Sequence, residues 1–215
     1  MKVKEKVLPF LNSIVSCYMT VDSALKNDLP STIANALALR DSLSNIVNKR
    51  MYSYTISVAQ LSEEIEKHLT GFIKSLPQNE KFISAYTTGL FIAARNHQKE
   101  KLEALRNAVL NTALPSDIEE DLQLSFINYI DRLTPSHIVA LQGYLDYYDK
   151  RNVDITEIEN KYTAYLDELI GLGMLMRPYT SSPPDLATVY SNSSNCILAD
   201  KGRQFLEFIN QPRKQ

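Results

Sequence analysis

Apolar side chains recur at steps of three and four along most of this chain, the spacing that gathers them on one face of an α-helix. Val7, Phe10, Leu11, Ile14, Tyr18, Val21 and Leu25 keep that rhythm and predict a first helix over residues 6–26. Asn27-Asp28-Leu29-Pro30 breaks it, and Pro30 with Ser31 opens the next helix, because proline suits a first helical turn and serine caps one. From Ser31 to Leu76 there is no proline, and Gly71 is the only glycine. Ile33, Leu37, Leu43, Val47, Met51, Tyr54, Val58, Leu61, Ile65, Leu69, Phe72 and Leu76 carry the stripe onward. They predict one very long helix or two nearly collinear ones, with the β-branched and aromatic run MYSYTISV at 51–58 as the expected break. Such a stripe serves either a hairpin within the chain or a coiled-coil surface for self-association. Only one short helix precedes it, so large apolar residues such as Leu61, Ile65, Leu69 and Phe72 need cover from later helices or from a second chain. The balance leans to a homodimer.

Pro77-Gln78-Asn79 ends this region, and Phe82, Tyr86, Leu90 and Ala93 then mark a helix over 80–96. A charged helix follows, with Leu102, Leu105, Val109 and Ala113 inward, and Pro115 stops it. Ser116 can cap a helix whose first turn holds Asp117, Glu119, Glu120 and Asp121, charges that a helix N-terminus favours. Thr134-Pro135 is a cap followed by a proline at the first helical position, and it predicts a helix through Tyr148. Another spans about 155–172 and ends at Gly171 and Gly173. MLMRPYT then reads as a strand, Pro183-Pro184 as a loop, and CILADKGRQFLEFI as a strand running into a helix. The predicted fold is mainly α: residues 1–114 form a helical bundle with one very long helix, and residues 115–215 a helical domain with a small β-hairpin.

Composition narrows the chemistry. The formal charge is −2 and the calculated pI about 6.0, so bulk charge gives no reason to bind nucleic acid. Six glycines and no tryptophan disfavour a glycine-rich nucleotide site and an all-β fold. Cys17 and Cys196, far apart and in apolar surroundings, suit reduced, packed thiols and a cytoplasmic protein. No run approaches the length of a membrane span. Glu64 and His68 share a helical face, yet no metal-ligand motif accompanies them, and a solvated face is the simpler reading. His137, three residues after Thr134, reads as a capping or packing residue. No paired nucleophile and base stands out, and no catalytic residue, metal or cofactor is expected.

The order of helix, Thr-Pro-opened helix, YLDELIGLGML, strand, loop and LADKGRQFLEFI resembles a winged helix. In that fold Leu198, Gly202, Phe205 and Leu206 would pack the last helix onto the core. Together with KLEALRNAVLN and LTPSH, the chain resembles an uncharacterised bacterial family that joins a helical lead to a terminal winged helix. It is more distantly similar to the abortive infection alpha family, linked to phage defence. The resemblance covers about residues 79–209 and brings no catalytic residues.

Two functions follow as expectations. One is a non-enzymatic interaction or assembly component with a protein partner or itself, using Ile65, Leu69 and Phe72 or the charged surface of Arg95, Lys99 and Arg106. The tyrosines crowded into the last third of the chain suit either interface anchors or core rims. The other is a DNA-binding transcriptional regulator whose basic contacts come from the charged helix, with Arg95, Lys99, Lys101 and Arg106 on phosphates, or from the lysine-rich amino terminus of Lys2, Lys4 and Lys6. Against it, residues 154–173 hold Asp154, Glu157, Glu159, Asp167 and Glu168 against Lys161 alone, a sum of −4 that a major-groove helix cannot carry.

Overall fold

A computed structural model describes residues 7–16, 34–151, 153–177 and 196–212, with side chains of residues 34–43 left aside. The protein is mainly helical, with one small antiparallel sheet. Helix α1 holds residues 7–16, and α2 runs Ala34–Glu66. A short α3, Phe72–Ser75, and a 3-10 turn, Leu76–Gln78, lead to α4, Glu80–Arg95, and α5, Lys99–Asn111. Then come α6, Glu120–Arg132; α7, Pro135–Tyr148; and α8, Ile155–Gly171. Strands β1, Leu175–Met176, and β2, Ile197–Leu198, pair antiparallel before α9, Asp200–Ile209. The chain divides into two compact units: one runs to Ile127 and takes in the residues from Gln211, and the other is Asn128–Asn210.

In the first unit α2 is unbroken through 51–58, where the sequence predicts a break. Tertiary packing overrides the local propensity there. Tyr54 stacks on Tyr86, and Thr55 Oγ1 lies 2.8 Å from the Tyr86 hydroxyl while also donating to the Met51 carbonyl at 2.8 Å. Burial pushes both tyrosine hydroxyls up from their ordinary range. The helix ends instead at Glu66, whose carboxylate accepts from the backbone N–H groups of Gly71 (2.9 Å) and Ile73 (2.8 Å). Gly71 sits at φ +91°, which favours glycine, so the only glycine of the stretch marks the true stop. The turn sends Phe72, Ile73 and Leu76 into the core.

Helices α4 and α5 fold back over α2, burying Met51, Tyr54, Val58 and Leu61 within the same unit. This part of the stripe has its cover within the chain. Phe72 is 3% exposed and offers no surface, while Leu69 at 47% remains outside. Helix α5 is buried on more sides than its predicted stripe, since Ala104, Ala108 and Leu110 join Leu105 and Val109 in the core. Ser116 does not cap α6: its hydroxyl accepts from the Ile118 amide (3.1 Å), and the helix starts at Glu120.

In the second unit α7 packs on α8, and α9 and β2 pack on α7. Gly143 permits the close α7–α8 approach, for a β-carbon there would come within 2.8 Å of Ile158. Gly173, at φ +71°, closes α8 into β1. Gly202 lets α9 lie against β1: an added β-carbon would meet the Met174 carbonyl oxygen at 2.3 Å. Phe205 and Leu206 are fully buried beside it in sequence, as the terminal pattern predicts. Backbone cannot step aside as a flexible side chain can. Gly202→Ala is therefore expected to destabilise this unit by about 3 kcal/mol. Gly171→Ala, at the end of α8 with nothing within 4 Å, is expected to be neutral or slightly stabilising. Chemical denaturation of the two variants checks the contrast.

Candidate functional site

Of the basic residues singled out from the sequence, Lys2, Lys4 and Lys6 lie outside the described residues. Arg95 is exposed at the end of α4, and Lys99 at the start of α5 pairs with Glu103 at 3.8 Å. Arg106 is half-buried and donates to Asn107 Oδ1 at 3.1 and 3.3 Å, while Lys101 is buried, which removes it as a phosphate contact. Ion pairing at four-residue spacing is the arrangement seen at Lys99. Of the apolar set, Ile65 is half-buried, Leu69 exposed and Phe72 buried. Glu64 and His68 are exposed, and among the described residues no group of three or more His, Cys, Asp or Glu could hold a metal. No helix among the described residues is long and apolar enough to cross a membrane.

The acidic residues of α8 are mostly used inside the unit. Asp154 caps the helix by accepting from the Thr156 amide at 2.9 Å. Glu159 is 4% exposed and accepts from the Tyr144 hydroxyl of α7 at 3.0 Å. Asp167 pairs with Arg177 at 2.7 Å, and Glu168 meets both Arg132 (3.5 Å) and His137 (3.1 Å). Of the five acids only Glu159 is buried; Asp154, Glu157 and Asp167 are exposed and Glu168 is half-buried, so most of this negative charge lies on the surface. The stronger argument against phosphate binding lies with the arginines: Arg132, Arg151, Arg177 and Arg203 of the second unit all sit on carboxylates. Eleven acidic against seven basic residues leave positions 128–210 at −4.

Tyr144, Glu159 and Cys196 form a buried polar knot between α7, α8 and the start of β2. Burial, with Cys196 and Glu159 beside it, pushes the Tyr144 hydroxyl well above its usual range. Burial likewise raises the Cys196 thiol, which keeps it protonated and a poor nucleophile. Cys17 lies outside the described residues. The knot packs helices together and has no open face for a substrate.

His137 closes the corner between α6 and α7. Its Nδ1 accepts from the Thr134 backbone N–H at 3.0 Å, its Nε2 faces Glu168 Oε2 at 3.1 Å, and its ring meets Tyr165 edge-on. The capping role expected from sequence is present, with Thr134 as the cap and His137 at the third helical position.

The surface feature that periodicity misses is aromatic. Tyr147 and Tyr148, at the end of α7, are 44% and 40% exposed with their rings edge-on at 5.5 Å. Tyr148 lies against β2, its hydroxyl beside the Leu198 backbone N–H, and partial burial raises its pKa while that amide opposes the rise. Met176 and Ile197, cross-strand partners, are both exposed. The tyrosine crowding signals half of this patch, but strand register supplies the rest. Tyr179 and Tyr190 lie outside the described residues.

No protein-family model, no curated protein and no solved structure matches the chain. Chemistry at the buried knot gives a direct test of its structural role. Tyr144→Phe removes the hydroxyl from a buried carboxylate and is expected to cost about 2 kcal/mol. Replacing both groups, as Tyr144→Phe with Glu159→Met, is expected to recover most of that loss, because no buried acceptor is left unpaired. A double-mutant cycle by denaturant titration reads the coupling.

Proposed function

We propose that this protein is a non-enzymatic interaction or assembly component that presents the end of α7 and the small sheet to another protein. The observation that carries this reading is the exposed group of Tyr147, Tyr148, Met176 and Ile197. Tyrosine and methionine are enriched at the centres of protein interfaces, where rigid or adaptable apolar bodies are buried at low entropic cost. Several polar groups of the second unit are engaged with one another. Its arginines are paired, its buried tyrosine, carboxylate and thiol are sealed, and the depression lined by Asp154, Thr156, Glu157, Asn160 and Lys161 is open and shallow.

The winged-helix likeness belongs to the same proposal. Three successive helices, a left-handed Gly173, two short antiparallel strands and a final helix packed through Gly202 support it. As a wing module, this unit would serve packing and recognition of protein rather than of DNA, because a phosphate backbone meets a unit of net −4. The resemblance to the abortive infection alpha family supports a partner in a bacterial phage-defence or stress system. Along α2, Met51, Tyr54, Val58 and Leu61 are buried while Ile46 and Tyr52 are exposed, and the partner is taken to be a different chain bound at the end of α7.

Affinity capture from the native host, with and without phage challenge, is expected to recover one or more proteins with the wild-type chain. The double variant Tyr147→Ser, Met176→Ser is expected to bind the recovered partner about tenfold or more weakly, while unfolding at the same denaturant concentration. Recovery of the chain alone would contradict the proposal, as would equal binding by the double variant.

A further inference from the structure

Sulfur is divided unevenly between core and surface. Among the described residues it occurs at Met51, Met174, Met176 and Cys196, while Met1, Cys17 and Met19 lie outside them. Met51 is 1% exposed, Met174 is fully buried, and Cys196 is buried beside Tyr144. Burial also keeps the Cys196 thiol protonated, whereas the thiolate is the form that reacts with oxidants. Met176 differs from all three. It is 50% exposed and stands cross-strand from Ile197, which is exposed as well. Two methionines only two residues apart thus meet opposite environments, and the open one belongs to the apolar and aromatic patch at the end of α7 and the small sheet.

We propose that Met176 is an oxidation site at which a peroxide switches off docking through the patch of Tyr147, Tyr148, Met176 and Ile197; the docking half of this inference rests on the proposed interaction with a protein partner. The thioether sulfur attacks one oxygen of hydrogen peroxide. A sulfur–oxygen bond forms as the oxygen–oxygen bond breaks, the departing hydroxide takes the proton of the transferred hydroxyl, and water leaves. Sulfur loses two electrons and the peroxide gains them, so the peroxide is the one co-reactant. The product is a sulfoxide, polar and hydrogen-bond accepting where the thioether was apolar. On the free chain the new oxygen is hydrated, because Met176 stands in solvent, and the core is untouched. In a docked complex the same oxygen loses its water, and a surface complementary to a thioether offers it no donor. A penalty felt by the docked state alone shifts the equilibrium towards the free chain.

The test exposes the full wild-type chain to hydrogen peroxide at neutral pH and removes the peroxide before any partner is added. Tandem mass spectrometry follows the gain of one oxygen atom at each methionine. Met176 is expected to oxidise at least about tenfold faster than Met51 and Met174, with no change in the denaturant midpoint. The chain oxidised at Met176 is expected to bind the protein recovered by affinity capture about tenfold more weakly. The two epimer-specific methionine sulfoxide reductases, with dithiothreitol as reductant, are expected to restore that binding. In Met176→Leu, peroxide is expected to leave binding wherever the substitution itself set it. Equal oxidation rates at the three methionines overturn the proposal, and so does a Met176→Leu chain that loses binding to peroxide as the wild type does. Unchanged binding after oxidation, beside weakened binding by Tyr147→Ser, Met176→Ser, removes the switch and leaves the proposed interaction in place. Recovery of no partner removes both.

Discussion

Everything in the first unit depends on the burial of one face of α2. A helix of 33 residues spans about 50 Å, and in water it holds together chiefly through what packs on it. Met51, Tyr54, Val58 and Leu61 are buried under α4 and α5, and the Tyr54–Tyr86 stack lies where the sequence looks least helical. Burying each large side chain is worth roughly 1.5–3 kcal/mol, more than the small penalty for β-branched or aromatic residues in a helix. That inequality keeps α2 straight through 51–58 and leaves the stop to Gly71.

The second unit solves a different problem, the close approach of short elements. Gly143 and Gly202 bring α8 and β1 within reach, and the polar groups trapped by that approach answer one another as Tyr144 with Glu159 and His137 with Glu168. The unit's arginines form ion pairs at the surface, and Tyr147, Tyr148, Met176 and Ile197 are exposed beside them in the same unit.

Helix order and several boundaries were legible in the sequence because their signals are local. Thr134-Pro135 opens α7, and Gly171 and Gly173 bracket the end of α8. The cap formed by His137 was legible for the same reason. Three things were not. The partners that α8's carboxylates meet depend on tertiary neighbours, so four of the five acids prove to be a cap, a buried acceptor and ion-pair partners, while Glu157 is exposed. The cover of α2 depends on chain reversal, which periodicity does not record. The exposed patch depends on the β1–β2 register that pairs Met176 with Ile197 across a gap in sequence. The predicted break at 51–58 failed because propensity was weighed without the aromatic partner on α4.

That α2 is covered by its own chain is the claim on which the rest stands, and it is most directly tested by sedimentation equilibrium of the wild-type protein at micromolar concentration. The expected mass is that of one chain, 24.4 kDa, with no rise on concentration. A mass of twice that value, returned to one chain by Ile65→Glu with Leu69→Glu, would contradict it, because the stripe would then need a second copy to complete its burial.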